Sequence, residues 1–181
     1  MDKKKWTQDE VIDIERQIRE GGGQLIADMR NADLSGLMLD FVNLSKANLE
    51  GADFTGASLN HAILVGANLT GAKFTGCKMQ DARLREVVAN KADFSGAFMY
   101  GVVGILGSFK VAVFTGADLR FAEFNSSDLR GANFDNCRLG RMLTAGAKTC
   151  GTSSVGCDYG PDNGRFDAVL VGSFVDQYMT V

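Results

Sequence analysis

The residues that could carry acid–base, nucleophilic or metal chemistry are few and scattered along the chain. His61 is the single histidine, and the four cysteines are Cys77, Cys137, Cys150 and Cys157. A catalytic site needs titratable groups that converge, and we expect that the sequence forces no acid, serine or cysteine beside His61. Cys150 and Cys157 could close a small disulfide loop, hold a metal together with Asp158, or stay free, and a reducing cytosol favours free thiols. We therefore expect no catalytic, cofactor or metal site, and a protein that is not an enzyme.

A five-residue repeat accounts for most of the rest of the sequence. Residues 27–146 divide into 24 units such as Ala52-Asp53-Phe54-Thr55-Gly56, and 21 of them carry Leu, Phe or Met at the third position. The first position is Ala in 15 units and the fifth is Gly in 11. A period of five fits neither an α-helix nor a strand. Because glycine adopts positive φ without steric cost, we expect a turn at each fifth position, and thus a four-sided coil of twenty residues.

The same units resemble a known family. The pattern A-[DN]-[LF]-x-G, as in Ala67-Asn68-Leu69-Thr70-Gly71, resembles the pentapeptide-repeat proteins over about two-thirds of the chain. The resemblance implies an all-β fold, a right-handed quadrilateral β-helix, with about six coils in 27–146. It also implies that second-position acids such as Asp53 serve local backbone hydrogen bonds. Residues twenty apart should stack, which predicts an inward ladder: Leu34, Phe54, Phe74, Phe94, Phe114 and Phe134.

The two ends of the chain depart from the repeat. Thr7 and Glu10 form a capping-box pattern, Val11, Ile14 and Ile18 share one helical face, and three glycines follow at 21–23. We expect a helix from about Gln8 to Glu20 within an N-terminal capping segment, 1–26, that covers the first coil. After the repeats of 27–146, residues 147–181 are expected to form a loop, irregular over 151–164, and a C-terminal capping segment.

Around Gly104 the repeat is broken both inside and outside the coil. Gly104 offers no inward side chain. Apolar residues occupy nearby outward positions: Phe98, Tyr100, Val103, Ile105, Leu106, Val111 and Val113. Monomers rarely expose a contiguous apolar patch without a reason. Three interpretations stay open: a docking surface for a partner or a second copy, a patch that the C-terminal tail covers, and a local distortion that turns some of these side chains inward.

Charge argues against one function that the resemblance brings with it. Some pentapeptide-repeat proteins mimic duplex DNA and inhibit or protect DNA gyrase, which requires a strongly negative flank. Residues 27–146 carry 12 acidic and 12 basic side chains, within a chain of net charge −3. We expect a non-enzymatic protein-interaction scaffold or regulatory binding protein, and we keep a DNA mimic that binds gyrase or topoisomerase as the alternative.

The expected partner is a protein. The resemblance also implies a homodimer contact through the C-terminal end, and we expect no nucleic acid and no cofactor. The N-terminal residues do not follow the pattern of a signal peptide, and no stretch is long and apolar enough to span a bilayer. These features predict a cytoplasmic protein without a membrane span.

Overall fold

The computed structural model of the chain describes residues 4–20 and 27–160. The first of these ranges contains one helix, α1 (Gln8–Glu20). The second repeats a single backbone pattern every five residues from end to end. The expected helix and the expected repeat are therefore both present.

The repeating segment pairs with itself at an interval of twenty residues. Asp53 pairs in parallel with Lys73, and Phe98 with Asp118. The backbone N–H of Phe54 donates to the carbonyl of Lys73 at 2.7 Å. Each pairing is an isolated bridge, and the described residues form no extended strand. Four units of five residues therefore make one coil, and each side of the coil contributes one paired residue at its second position.

Left-handed backbone geometry at the fifth position turns the chain from one side to the next. Gly56 has φ of +67°, as the glycine-rich pattern predicts. The same geometry occurs without glycine, with φ of 58° at His61, 61° at Leu106 and 58° at Val111. A β-branched residue in this region is strained. The coil therefore imposes the turn even where the side chain disfavours it, and Val111 is the clearest case.

The inward third positions form one continuous core. Phe54, Phe74, Phe94, Phe114 and Phe134 are all fully buried. Their successive ring centroids lie 4.8–5.0 Å apart with nearly parallel planes. The predicted phenylalanine ladder is confirmed. Stacking of this kind adds about 0.5–1.5 kcal/mol per pair beyond burial.

The unit around Gly104 keeps the regular backbone. Val103 pairs with Arg83 on one side and with Glu123 on the other, so a local distortion, the third of the open interpretations, does not occur here. A Cβ at Gly104 would lie 2.7 Å from Phe124 Cε1 and 3.1 Å from Phe109 Cζ. Those two rings meet edge to face, 5.0 Å apart between centroids. They occupy the space that an inward side chain at residue 104 would fill.

The N-terminal segment packs on the first coil. The predicted capping box is confirmed: Thr7 N–H donates to Glu10 Oε2 at 2.8 Å, and Glu10 N–H donates to Thr7 Oγ1 at 3.3 Å. Val11 is fully buried in the core. Ahead of α1, Trp6 N–H donates to the carbonyl of Asp33 at 2.9 Å. The helix that the described residues form is too short and too polar to cross a bilayer.

The coil continues past the boundary expected at residue 146. Asn133 pairs with Ser153, and Arg138 pairs with Asp158. The expectation of an irregular loop from residue 151 is therefore wrong as far as Gly160. Thr149 and Ser154 take inward positions in these units and are largely buried. The rest of the expected loop and the C-terminal capping segment lie outside the described residues.

Candidate protein-interaction surface

The four sides of the coil are numbered 1 to 4 after four consecutive units, 92–96, 97–101, 102–106 and 107–111, in that order. Units that lie twenty residues apart, or a multiple of twenty, belong to the same side. The seven candidate residues fall on all four sides. Phe98 and Tyr100 lie on side 2. Val103, Ile105 and Leu106 lie on side 3, Val111 ends side 4, and Val113 lies on side 1 of the next coil. The candidate set follows one coil around the molecule, so it does not form a single surface.

Side 2 is where the structure gathers exposed aromatic rings. The exposed fractions of Phe98, Tyr100 and Phe121 are 56%, 37% and 41%. The Tyr100 and Phe121 ring centroids lie 5.1 Å apart. The guanidinium of Arg120 lies over Tyr100, 5.6 Å from the ring centroid, and that of Arg141 lies over Phe121 at 5.4 Å. Phe121 is not among the seven residues predicted from the sequence, because it lies one coil further on than Tyr100.

An open cavity of ≈ 370 Å³ lies on the same side. The residues that line it come from four successive coils: Asn60, Lys78, Gln80, Phe98, Tyr100, Asp118 and Arg120. They belong to the second and fourth positions of side 2, which face outward. Phe98 and Tyr100 are thus the two predicted residues that the structure brings together in a concave site. The others in the predicted set have no part in this cavity.

Arginine side chains hold the one acid of this cavity. Arg120 donates from Nη2 to Asp118 Oδ2 at 2.6 Å, and Arg138 donates from Nη1 to the same oxygen at 3.1 Å. Burial alone raises the pKa of Asp118, but the hydrogen bonds from Arg120 and the charges of both arginines together lower that pKa below its ordinary value. Asp118 therefore stays ionised and is already paired with Arg120 and Arg138, so its negative charge is not available to a partner.

The apolar residues on side 3 form a strip that extends over fewer coils than the cavity on side 2. Val103 and Ile105 are half-buried, and Leu106 is exposed at its corner. The twenty-residue register places Arg83 and Arg85 one coil before them and Glu123 one coil after. The apolar strip on this side is therefore one coil high and lies between charged neighbours.

The surroundings of His61 correct one expectation from the sequence. Asp81, one coil further on, places Oδ2 3.9 Å from His61 Nδ1, so the repeat does set an acid beside the histidine. The imidazole also stacks on Phe41, with ring centroids 4.9 Å apart. Within residues 4–20 and 27–160, no group of three or more His, Cys, Asp or Glu side chains could hold a metal ion.

The cysteines separate into buried and accessible thiols, and all four are free. Cys77 and Cys137 are fully buried, as expected for the small inward position. Cys157 takes that same position one coil after Cys137, and its Sγ lies 2.9 Å from the carbonyl oxygen of Phe134. The small disulfide loop between Cys150 and Cys157, a less favoured one of the alternatives that the sequence leaves open, is not formed, and Cys157 belongs to the coil.

Comparison with known proteins identifies the family. The profile of the family described as Pentapeptide repeats (8 copies) matches residues 38–76, 67–103 and 109–141. These ranges cover more than half of the chain. This chain belongs to the pentapeptide-repeat family. No curated protein matches it, so the family assignment rests on the repeat itself and on the register described above.

Several solved pentapeptide-repeat structures are similar to the chain. HetL from the cyanobacterium Nostoc sp. strain PCC 7120, involved in heterocyst differentiation regulation, is 22% identical over 73% of this chain and 78% of its own, with a TM-score of 0.39. A protein from the Arabidopsis thaliana thylakoid lumen is 30% identical over 61% and 70%, with a TM-score of 0.37. The plasmid-mediated fluoroquinolone resistance protein QnrB1 is 18% identical over 73% and 72%, with a TM-score of 0.49. TM-scores this low carry no argument about what this chain binds.

Proposed function

We propose that this pentapeptide-repeat protein is a rigid, non-enzymatic scaffold that binds a partner protein on side 2. The observation that carries the proposal is the exposed aromatic group Phe98, Tyr100 and Phe121 beside a cavity. Aromatic and arginine side chains are the residues that most often dominate binding energy at protein interfaces. On side 2 both kinds occur together, with Arg120 against Tyr100.

The solenoid suits this role because it holds the surface in place. We propose about six full coils of twenty residues, stiffened by the phenylalanine ladder, with α1 as the cap of the first coil. Val11 and Trp6 support that cap, since each packs on the core cluster. A surface fixed before binding loses little conformational entropy when a partner docks.

The charge distribution supports a protein partner and disfavours a DNA mimic. Residues 27–160 carry 13 acidic and 13 basic side chains. Several acids are neutralised in place, as Asp128 is by Arg130 at 2.7 Å. A mimic of duplex DNA needs unpaired negative charge in series, and the outward acids here do not supply it. The homodimer through the C-terminal end and the cytoplasmic location stay predictions.

Affinity capture with a matched pair of variants tests the proposed surface. The full chain, Tyr100→Asp and Val88→Asp are each used as bait in an extract of the source cells. Val88 is an exposed apolar residue of side 4, so its variant carries the same new charge away from side 2. We expect proteins captured by the wild type and by Val88→Asp to be lost with Tyr100→Asp. Equal capture by all three folded baits would contradict the proposal.

A further inference from the structure

We propose that side 2 binds an acidic, extended segment of the partner protein. An apolar side chain of that segment packs on Phe98 and Tyr100, and flanking carboxylates face Lys78 and Arg120. This inference rests on the proposed function and adds the chemistry of the partner. Three features of the surface support it: its local charge, a free backbone donor, and the order of these groups along the side.

The cations around the cavity outnumber the acid that faces them. Two basic residues, Lys78 and Arg120, line the cavity, and Asp118 is the only acid that lines it. Asp118 is 13% exposed and already contacts Arg120 and Arg138. Among the described residues, no carboxylate lies within ion-pair distance of Lys78 Nζ. The lining of the cavity therefore carries two cations and one acid, which favours a carboxylate of a partner over a basic side chain.

The Tyr100 unit also leaves a backbone donor available. In units with Asp or Asn at the second position, or with Asp or Asn at the fourth position of the coil before, the fourth-position N–H can donate to that side chain. Thr55 donates to Asp53 Oδ1 in its own unit at 3.0 Å, and Gln80 donates to Asn60 Oδ1 in the coil before at 3.0 Å. The unit of Tyr100 has Phe98 in place of that Asp, and the described residues provide no acceptor for the Tyr100 N–H. An oxygen of an extended partner chain can accept this hydrogen bond.

The order of these groups along side 2 fits one extended chain. The backbone pairing places Phe98 between Lys78, one coil before, and Asp118, one coil after. Adjacent coils are about 4.8 Å apart, as neighbouring strands are. A segment running along the solenoid places an apolar side chain at Phe98 and a carboxylate at Lys78 about one coil away. Nucleic acid fits less well, because phosphate binding depends on a run of cations and this chain has net charge −3.

Fluorescence anisotropy with the full chain tests this inference. The probes are three labelled peptides that share a central Leu-Phe pair and differ only in their flanks, which are all Glu, all Gln or all Lys. We expect the Glu peptide to bind about tenfold more tightly than the Gln peptide, with an affinity that falls as salt rises. Lys78→Glu should weaken the Glu peptide about tenfold. Arg83→Glu, at the same position on side 3, should change little.

Several results would overturn the inference. These are equal binding of the Glu and Gln peptides, no effect of Lys78→Glu, or equally tight binding of a labelled single-stranded oligonucleotide. Faster hydrogen exchange at 165–181 in Lys78→Glu than in the wild type would assign the surface to the chain's own C-terminal segment, and would also overturn it. A captured partner that depends on Tyr100 but offers no acidic segment would refute this inference and leave the proposed function standing.

Discussion

Replacing Gly104 with alanine should destabilise the solenoid, although the same third position holds Leu, Phe or Met in 21 of the 24 units. The added Cβ would lie 2.7 and 2.8 Å from two atoms of the Phe124 ring and 3.1 Å from Phe109. Ordinary contacts begin near 3.4 Å, so the Phe124 ring must retreat by more than half an ångström. That ring is fully buried and packs edge to face against Phe109 and Phe114. Any retreat of the ring therefore disturbs its contacts with Phe109 and Phe114.

The cost follows from this overpacking. Inserting one methyl group into a packed core costs roughly 1–3 kcal/mol, which lowers the melting temperature of a chain of this length by roughly 2–12 °C. Phe124→Leu alone should cost roughly 1–2 kcal/mol, because it leaves a cavity beside Gly104. Combining the two changes lets the alanine enter the space that the ring vacates. The double variant should therefore be more stable than the sum of the single effects by roughly 1 kcal/mol.

Guanidinium denaturation of the wild type, the two single variants and the double variant measures this coupling. The backbone bonds of the Gly104 unit are common to all four proteins, so the coupling reports on the side chains alone. Additive free energies, or a Gly104→Ala variant as stable as the wild type, would show that the two phenylalanine rings do not fill the space at Gly104.

Three further predictions follow from single residues. Val111→Gly should raise stability by about 0.5–1 kcal/mol, because it relieves a positive φ at a mostly exposed side chain; a loss of stability in denaturation would refute this. Hydrogen bonds from the arginine two residues later lower the pKa of Asp128 to about 2, below its ordinary value of 3.8. The ionised Asp128 therefore contributes its full stabilisation of the fold above about pH 4, and this stabilisation is lost as pH falls through 2. Asp128→Asn should cost up to about 1 kcal/mol of stability above pH 4 and nothing below pH 2. A pH-independent difference in denaturation midpoints would contradict this. Iodoacetamide should modify Cys150 long before Cys77 and Cys137, whose pKa burial raises to about 12; equal rates by mass spectrometry in the folded protein would refute this.

The sequence predicts the regular part of this fold because the five-residue repeat determines both the turns of the coil and the side chains that pack inside it. The third-position Phe residues must stack once twenty residues make a coil, and the structure stacks them. The last units escaped prediction because Thr149 and Ser154 stand where the pattern requires large apolar residues. Hydrogen bonds between coils join backbone atoms, such as those of Asp158 and Cys137 at 2.8 Å. The coil therefore continues through a unit whose inward side chain is polar.

The candidate site was predicted only in part, because nearness along the chain differs from nearness on the coil. Phe98 and Val113 are fifteen residues apart and lie on different sides, whereas Tyr100 and Phe121 are twenty-one apart and in contact. The same register sets Asp81 beside His61, a neighbour that local spacing does not reveal. Exposed aromatic residues one coil apart are the signal in the sequence that identifies side 2.

Site-specific photo-crosslinking tests the central claim, that side 2 around Tyr100 is the surface that binds a protein. Benzoylphenylalanine replaces Tyr100 in one variant of the chain. In a matched control it replaces Thr75, on side 1, and both variants are irradiated in an extract of the source cells. The account predicts a defined crosslinked protein from position 100 that is absent from position 75 and is lost when Phe98→Asp is added. Identical crosslinking from both positions, or none from position 100, would contradict it.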